Sequence, residues 1–173
     1  MNIDGIPTRT LRAHPAQNCI DIIDQTRLPH ALHWARVSTL EEAAHAIRAM
    51  LVRGAPLIGA TAAYGLAIAL EFEASDRRLA EAAALLRSTR PTAINLHWAL
   101  ARMNRILQES APAIRRDMAW NEARSIAEED KEANAAIGRY GLPLLERIRG
   151  DIDAVNVMTH CNAGRLATVE HGT

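Results

Sequence analysis

Cys161 is the residue of this chain whose type and position are best suited to chemistry. It lies in residues 159–164, Thr-His-Cys-Asn-Ala-Gly, directly after a run of β-branched and apolar residues. That order predicts a buried strand over residues 155–161 that ends at the thiol. In an α/β unit the end of a strand is where side chains leave the sheet for the crevice that binds ligands. Cys161 is therefore the first candidate for a reactive group, with inert core packing as the alternative.

Two arginines stand at predicted corners between helices. Residues 53–56, Arg-Gly-Ala-Pro, end one helical pattern and begin the next, because glycine suits the position after a helix and proline suits the first turn. Arg90 precedes Pro91, and Thr92 is the predicted cap of the following helix. A guanidinium beside a helix N-terminus can bind a phosphate, and the two corners could converge on one anion. The alternatives are an arginine that interacts with the preceding helix dipole at Arg53 and a solvated side chain at Arg90.

Other chemical patterns are weak in this sequence. His160, Cys161 and His171 do not have metal-site spacing, because adjacent strand residues point to opposite faces and no Cys-x-x-Cys pair accompanies them. For the same reason His160 is a poor general base for Cys161. Cys19 lies in an alternating apolar segment and is predicted to be a core thiol. The sequence has no Walker loop or dinucleotide-binding glycine fingerprint, so we predict no metal and no cofactor.

Length and composition define the class of protein. The 173 residues are 49% apolar and 23% charged, with 20 basic and 20 acidic side chains, so no net charge favours nucleic acid or a membrane surface. The longest apolar run, residues 57–70, is too short for a membrane span. Two distant cysteines and the lack of a signal-peptide pattern favour the cytoplasm. We expect a cytoplasmic protein with neither nucleic acid nor a membrane as partner.

The order of patterns along the chain predicts an α+β fold with small N-terminal antiparallel strands, a helical domain and the first strand of a truncated Rossmann-like domain. The predicted domains are residues 1–37, 38–149 and 150–173. Short strands are expected near residues 9–12, 19–24 and 32–37. Helices are expected near residues 38–50, 56–74, 75–88, 92–109 and 114–140, the second of them central.

Several local patterns refine that prediction. Ser38 and Glu41 have the spacing of a capping box, and Ser75 is the predicted cap of the third helix. Residues 128–132, Glu-Glu-Asp-Lys-Glu, are predicted to be a solvated face, and His97 a packing or surface residue. The strand ending at Cys161 would have an incomplete sheet, so we expect this segment to be the weak point of the fold.

Four stretches together resemble a known family: residues 24–29 (Asp-Gln-Thr-Arg-Leu-Pro), 52–59 (Val-Arg-Gly-Ala-Pro-Leu-Ile-Gly), 90–96 (Arg-Pro-Thr-Ala-Ile-Asn-Leu) and 159–164. In this order and at these spacings they resemble the methylthioribose-1-phosphate isomerases. These are aldose-ketose isomerases of methionine salvage, and their wider family includes the regulatory subunits of translation initiation factor 2B. The resemblance covers nearly the whole chain, and its second and fourth stretches are specific.

The resemblance implies roles for particular residues. Arg53, Gly54, Ala55 and Arg90 match substrate-binding positions, and Cys161 matches the catalytic cysteine. It also implies a sugar-phosphate substrate, a homodimer, and an aspartate acid-base partner further along the family's chain, so this chain alone is expected to be inactive.

Three other functions remain open from the sequence. The first is a non-catalytic relative of the initiation-factor subunits, the second is an isomerase of another phosphorylated ribose, and the third is a helical interaction module. The cysteine stretch, together with both arginine corners, favours the methylthioribose-1-phosphate isomerase.

Overall fold

The computed structural model describes residues 2–150 and 153–172, and its N-terminal part forms two small antiparallel sheets. The strands are β1 (Asn2–Ile3), β2 (Ile6–Pro7), β3 (Leu11–His14), β4 (Cys19–Ile23) and β5 (Trp34–Val37). β1 pairs with β2, while β3, β4 and β5 form a meander in chain order. Leu11 lies opposite Ile22 and Ile20 opposite Val37, and all four are buried. This alternation gives the meander one apolar face.

Five helices follow the strands and form the helical core. They are α1 (Leu40–Arg48), α2 (Ala55–Ala69), α3 (Asp76–Ser88), α4 (Ile94–Glu109) and α5 (Pro112–Arg149). α2 contacts each of the other four helices and is buried continuously from Leu57 to Ala69. Small residues make this possible, since a Cβ on Gly65 would lie 2.7 Å from the Cβ of Ala43 in α1. The α+β class and the central position of α2 are confirmed, but α2 ends with its apolar run near residue 70 instead of at residue 74.

The helix caps agree with the sequence in one case and differ in another. Ser75 caps α3, accepting a hydrogen bond from the Arg78 amide at 3.1 Å. The capping box of α1 is formed by Thr39 and Glu42, one residue later than the predicted pair. Two overlapping hydroxyl-to-carboxylate spacings exist in this stretch, so local sequence alone does not decide between them.

α5 is one helix, and the predicted end near residue 140 is wrong. Pro143 lies inside it, and this removes the amide that would bond the carbonyl of Arg139. The helix tolerates this loss because its last turns are mostly exposed, so water can satisfy the free carbonyl. Despite the length of α5, none of the helices in the described part of the chain is apolar enough to cross a membrane.

The predicted solvated face at residues 128–132 is wrong in part, because several of its charges bind other elements. Glu128 accepts hydrogen bonds from Arg9, which precedes β3, and Glu129 accepts two from Arg102 in α4. These arginines lower the pKa of both carboxylates. Charged residues of the stretch 128–132 therefore connect the N-terminal segment and α4 to α5 through ion pairs.

The strand predicted to end at Cys161 is not formed. Residues 153–160 have no regular structure and are mostly exposed, because no segment of the described chain runs beside them to supply the second half of a ladder. The next segment is docked: Ala167, Thr168 and Val169 are buried. Whether residues 150–173 begin a second domain stays a prediction.

Several hydrogen bonds dock this C-terminal segment, and two of them involve the backbone of Val169. The Thr10 amide donates to the Val169 carbonyl at 3.1 Å, and the Val169 amide donates to the Asp130 carboxylate at 2.8 Å. Burial raises the pKa of Asp130. Asp130, in the middle of the charged stretch 128–132, thus holds the segment around Val169, which is 39 residues away in the sequence.

Hydrogen exchange should separate these two parts of the C-terminal region. The amides of residues 154–160 are expected to exchange at least about 10³-fold faster than those of α2, because their local opening costs almost no free energy. The Val169 amide should be protected in the wild type and lose that protection in Asp130→Ala. Protection of residues 154–160 equal to that of α2 in a dilute monomer would contradict this description.

Candidate functional site

The five residues singled out in the sequence line one cavity of about 530 Å³. Arg53, Gly54 and Ala55 contribute the first corner, Arg90 the second, and Cys161 approaches from the C-terminal segment. The corners meet because α2 and α4 pack closely at their first turns. A Cβ on Gly59 of α2 would lie 3.0 Å from the Asn95 carbonyl oxygen of α4. The sequence could not show this meeting, and the structure supplies it.

Both helix N-termini face this cavity with their backbone amides available. The N-cap of α2 is Gly54 and that of α4 is Ala93, and among the described residues neither helix has a side-chain cap. The predicted cap Thr92 lines the cavity instead. Unpaired amides and the positive ends of two helix dipoles attract an anion. The cavity can therefore bind a phosphate through backbone groups of both helices.

The two arginines retain free donors. Arg53 donates one hydrogen bond from Nη2 to Asn162 Oδ1 at 3.3 Å. Over residues 2–150 and 153–172, no carboxylate lies within ion-pair distance of Arg53 or Arg90, whereas Arg9 and Arg102 are each paired with two glutamates. The cavity arginines are thus not used up by internal ion pairs and can make charge-assisted hydrogen bonds to a ligand.

Gly54 is required at the first corner for two reasons. Its φ of 91° lies in the region that side-chain-bearing residues avoid. In addition, a Cβ at this position would lie 2.4 Å from the Cα of Ala167. The 3₁₀ turn Arg165–Ala167 therefore packs directly on the start of α2. That contact brings the C-terminal segment to the cavity.

Cys161 reaches the cavity from a loop, not from the end of a strand. Its side chain is exposed and its φ is 65°, a left-handed conformation that is unfavourable for a residue with a Cβ. The loop is fixed on one side by the Arg53 to Asn162 hydrogen bond and on the other by the docked 3₁₀ turn. Strained residues held by their surroundings are common at functional sites. The thiol is placed by contacts that local sequence does not reveal.

A second cavity, of about 390 Å³, lies beside the first and shares Arg53, Cys161 and Asn162 with it. Gln25 lines this cavity, donating from Nε2 to the Leu166 carbonyl at 2.7 Å. Residues 24–29 thereby reach the site through Gln25, which supports the loop that carries the thiol. Sequence reasoning missed Gln25 and Asn162, and the only signal for them was their place inside the quoted stretches.

The histidines contribute less to the site. His97 Nε2 lies 2.8 Å from the Pro91 carbonyl oxygen, so this ring supports the second corner as a packing residue, in agreement with its predicted role. Across residues 2–150 and 153–172, no three histidine, cysteine or acidic side chains come close enough together to hold a metal ion.

The two cysteines should differ strongly in reactivity. Cys161 is exposed, whereas Cys19 is 1% exposed and burial raises its pKa. Iodoacetamide should therefore alkylate Cys161 at least about tenfold faster than Cys19 in the folded protein. The rates are measured by peptide mass spectrometry, with Cys161→Ser as the control that should retain only the slow reaction. Equal rates, or faster labelling of Cys19, would contradict this assignment.

The sequence has close relatives of known name. The family model described as "Initiation factor 2 subunit family" matches residues 51–171. Methylthioribose-1-phosphate isomerase of Dechloromonas aromatica (strain RCB) is 75% identical over 174 residues, which cover 100% of this chain and 48% of that protein. The chain thus spans about half the length of the curated relatives it matches.

Two solved structures are similar to the fold described above. The crystal structure of 5-methylthioribose 1-phosphate isomerase from Pyrococcus horikoshii OT3 matches with a TM-score of 0.82 and 38% identity, over 97% of this chain and 47% of that one. The structure of translation initiation factor eIF-2B, subunit delta, from A. fulgidus matches with a TM-score of 0.77 and 38% identity, over 94% and 47% respectively. Both similarities cover almost all of this chain.

Proposed function

The chain belongs to the initiation factor 2 subunit family, and on that premise we propose that it is the N-terminal, substrate-binding part of an isomerase that converts methylthioribose 1-phosphate to methylthioribulose 1-phosphate. The observation that carries the proposal is the single cavity lined by Arg53, Gly54, Ala55, Arg90 and Cys161. A sugar phosphate is the ligand class that suits two free arginines, two helix N-termini and a thiol. Methionine salvage is the process in which this reaction would act.

Some of these residues bind the substrate, and Cys161 takes part in the hydrogen transfer. Arg53, Arg90 and the first amides of α2 and α4 hold the phosphate, which orients the sugar. Cys161 then lies beside the carbons between which a hydrogen must move. An aldose-ketose isomerisation also needs a second acid-base group. We propose that this group is the aspartate implied by the resemblance.

The localisation, the oligomeric state and the partners of the enzyme are part of the same proposal. A cytoplasmic homodimer is expected, with a small sugar phosphate as its ligand and no nucleic acid or membrane as partner. An apolar stripe of exposed side chains on the last turns of α5, at Ile137, Tyr140, Leu144 and Ile148, supports association with further protein, because such a stripe is unfavourable in water.

A second candidate function is a binding role without turnover, like that of a regulatory initiation-factor subunit. The similarity to the A. fulgidus subunit favours it, since its TM-score is only slightly below that of the isomerase structure. The reactive position of Cys161 beside both arginines favours the isomerase, because binding alone does not require a thiol there.

An activity assay discriminates between the two candidates. We define a chimera in which this chain replaces the matching half of the Dechloromonas aromatica relative, to which it is 75% identical. The chimera should convert methylthioribose 1-phosphate to its ribulose isomer, followed by NMR of the product. No turnover by a folded chimera that still binds the sugar phosphate would refute the isomerase and favour the binding role.

A further inference from the structure

An apolar pocket of about 250 Å³ lies between α2, α4 and α5, next to the candidate site. It is lined by Pro56, Gly59, Trp98, Ile126 and Ala133, together with Asn95. Asn95 also lines the large cavity that contains the arginines and Cys161. The pocket therefore shares one lining residue of α4 with the proposed phosphate site.

The two carboxylates in the pocket wall are already occupied by other groups. Glu129 Oε1 accepts a hydrogen bond from Arg102 Nη2 at 2.7 Å, and Asp130 Oδ2 accepts one from the Val169 amide at 2.8 Å. Neither carboxylate needs a polar ligand as its partner. What the pocket offers to a ligand is mainly apolar surface.

Trp98 is the most prominent apolar side chain of this pocket, and it is held in place. The Arg102 guanidinium lies 5.6 Å from the centre of the indole ring, and Arg102 is itself bonded to Glu122 and Glu129. Even so, Trp98 is 49% exposed. Ile94, one helical turn earlier, is 80% exposed and lines the large cavity. α4 thus presents uncovered apolar surface from the cavity into the pocket.

We propose that this pocket receives the 5-methylthio group of the substrate, with Trp98 as the residue that selects for it. The inference rests on the proposed function, in which Arg53 and Arg90 hold the 1-phosphate. The phosphate and the thioether are at opposite ends of the sugar. The phosphate needs charged and polar partners, which the cavity with the arginines provides, and the thioether needs apolar surroundings, which the pocket provides. A thioether sulfur also makes favourable contacts with an aromatic ring.

The same pocket disfavours a substrate with a hydroxyl in place of the methylthio group. Ribose 1-phosphate would bring a polar group to a wall whose carboxylates are engaged, so that the hydroxyl would lose water without gaining a full set of hydrogen bonds. Loss of the apolar group would also remove contact with Trp98 and Ile126. The pocket therefore determines which phosphorylated ribose is bound, a choice that the phosphate site cannot make.

Parallel NMR titrations of this chain and of the chimera with methylthioribose 1-phosphate and ribose 1-phosphate test the proposal. Methylthioribose 1-phosphate should bind about tenfold more tightly or better, the value typical of a small apolar group in a matching pocket. The indole N–H signal of Trp98, identified by its loss in Trp98→Phe, should shift with the first ligand and not with the second.

Variants separate the pocket from the phosphate site. Trp98→Ala should bring the affinity ratio of the two ligands close to one without changing the affinity for ribose 1-phosphate, and Ala133→Leu should do the same by filling the pocket. Trp98→Phe should keep most of the preference because it keeps an aromatic ring. Phe72→Ala, which changes an aromatic side chain that is 96% exposed elsewhere, is the matched control and should alter neither affinity.

The measured affinities distinguish failure of the pocket proposal from failure of the proposed function. Equal affinity for the two ligands in the wild type, or a preference that Trp98→Ala and Ala133→Leu leave intact, would overturn the pocket and leave the proposed function standing. Binding of neither ligand at millimolar concentration, by both the chain and the chimera, would overturn the proposed function and the pocket with it. Thermal unfolding of each variant shows that it is folded before its affinities are compared.

Discussion

Cys161→Ser in the chimera is expected to lower kcat by about 10²- to 10⁴-fold, the usual loss when a positioned acid-base group is removed. The hydroxyl that replaces the thiol is a much weaker acid, so it cannot exchange a proton with the sugar at neutral pH. KM should change little, because the phosphate contacts come from the arginines and the helix amides. Steady-state kinetics with methylthioribose 1-phosphate measure both quantities.

Cys19→Ser is the matched control for this prediction. Cys19 lies in β4 and is buried away from the cavity, so its replacement should affect stability more than kcat. If Cys161→Ser retained wild-type kcat, or if KM alone rose, Cys161 would have no catalytic role and would be at most a binding residue.

Arg90→Ala in the chimera is expected to raise KM by about 10- to 100-fold, since a hydrogen bond to a charged group contributes roughly 1.5–3 kcal/mol. Arg90 lines the cavity without an internal ion pair in the described residues, so its removal takes a ligand contact and leaves no buried carboxylate unpaired. Stability should therefore be nearly unchanged. Arg53→Ala should weaken binding similarly, with an added loss of loop order through Asn162.

Arg105→Ala provides the comparison for Arg90→Ala. Arg105 is exposed on α4, in the same helix that begins at the second corner, and it does not line the cavity. Its removal changes the net charge equally but should leave KM unaltered. An unchanged KM and kcat in Arg90→Ala, or an equal rise of KM in Arg105→Ala, would show that the second corner does not hold the phosphate.

Local signals in the sequence were sufficient to predict the five helices and both corners, but not the ends of α2 and α5. Gly54 and Pro56 mark the first corner because backbone conformation alone demands them there, and the periodicity of apolar residues locates each helix. The family resemblance then named the candidate site residues. What the sequence could not supply was the packing of α2 on α4, which brings residues 53 and 90 to one cavity.

Other features of the fold depend on contacts between residues distant in the chain. The stretch before Cys161 has strand-forming side chains, but a strand needs a neighbour, and none is present in the described chain. Asp130 looked like one charge of a solvated run, yet it binds Val169. Arg115 is only 2% exposed because it donates hydrogen bonds to carbonyls near the ends of other helices, including that of Leu107 at 2.8 Å. No short-range pattern distinguishes it from a surface arginine.

The most direct test of the shared site is the rate at which iodoacetamide alkylates Cys161 in this chain, with and without methylthioribose 1-phosphate. If the arginines and the thiol surround one ligand, saturating sugar phosphate should slow alkylation of Cys161 strongly and leave that of Cys19 unchanged, and in Arg90→Ala the same protection should need about 10- to 100-fold more sugar phosphate. Unprotected Cys161 at saturation, or protection with the same concentration dependence in Arg90→Ala as in the wild type, would contradict a single site built from both corners and the thiol.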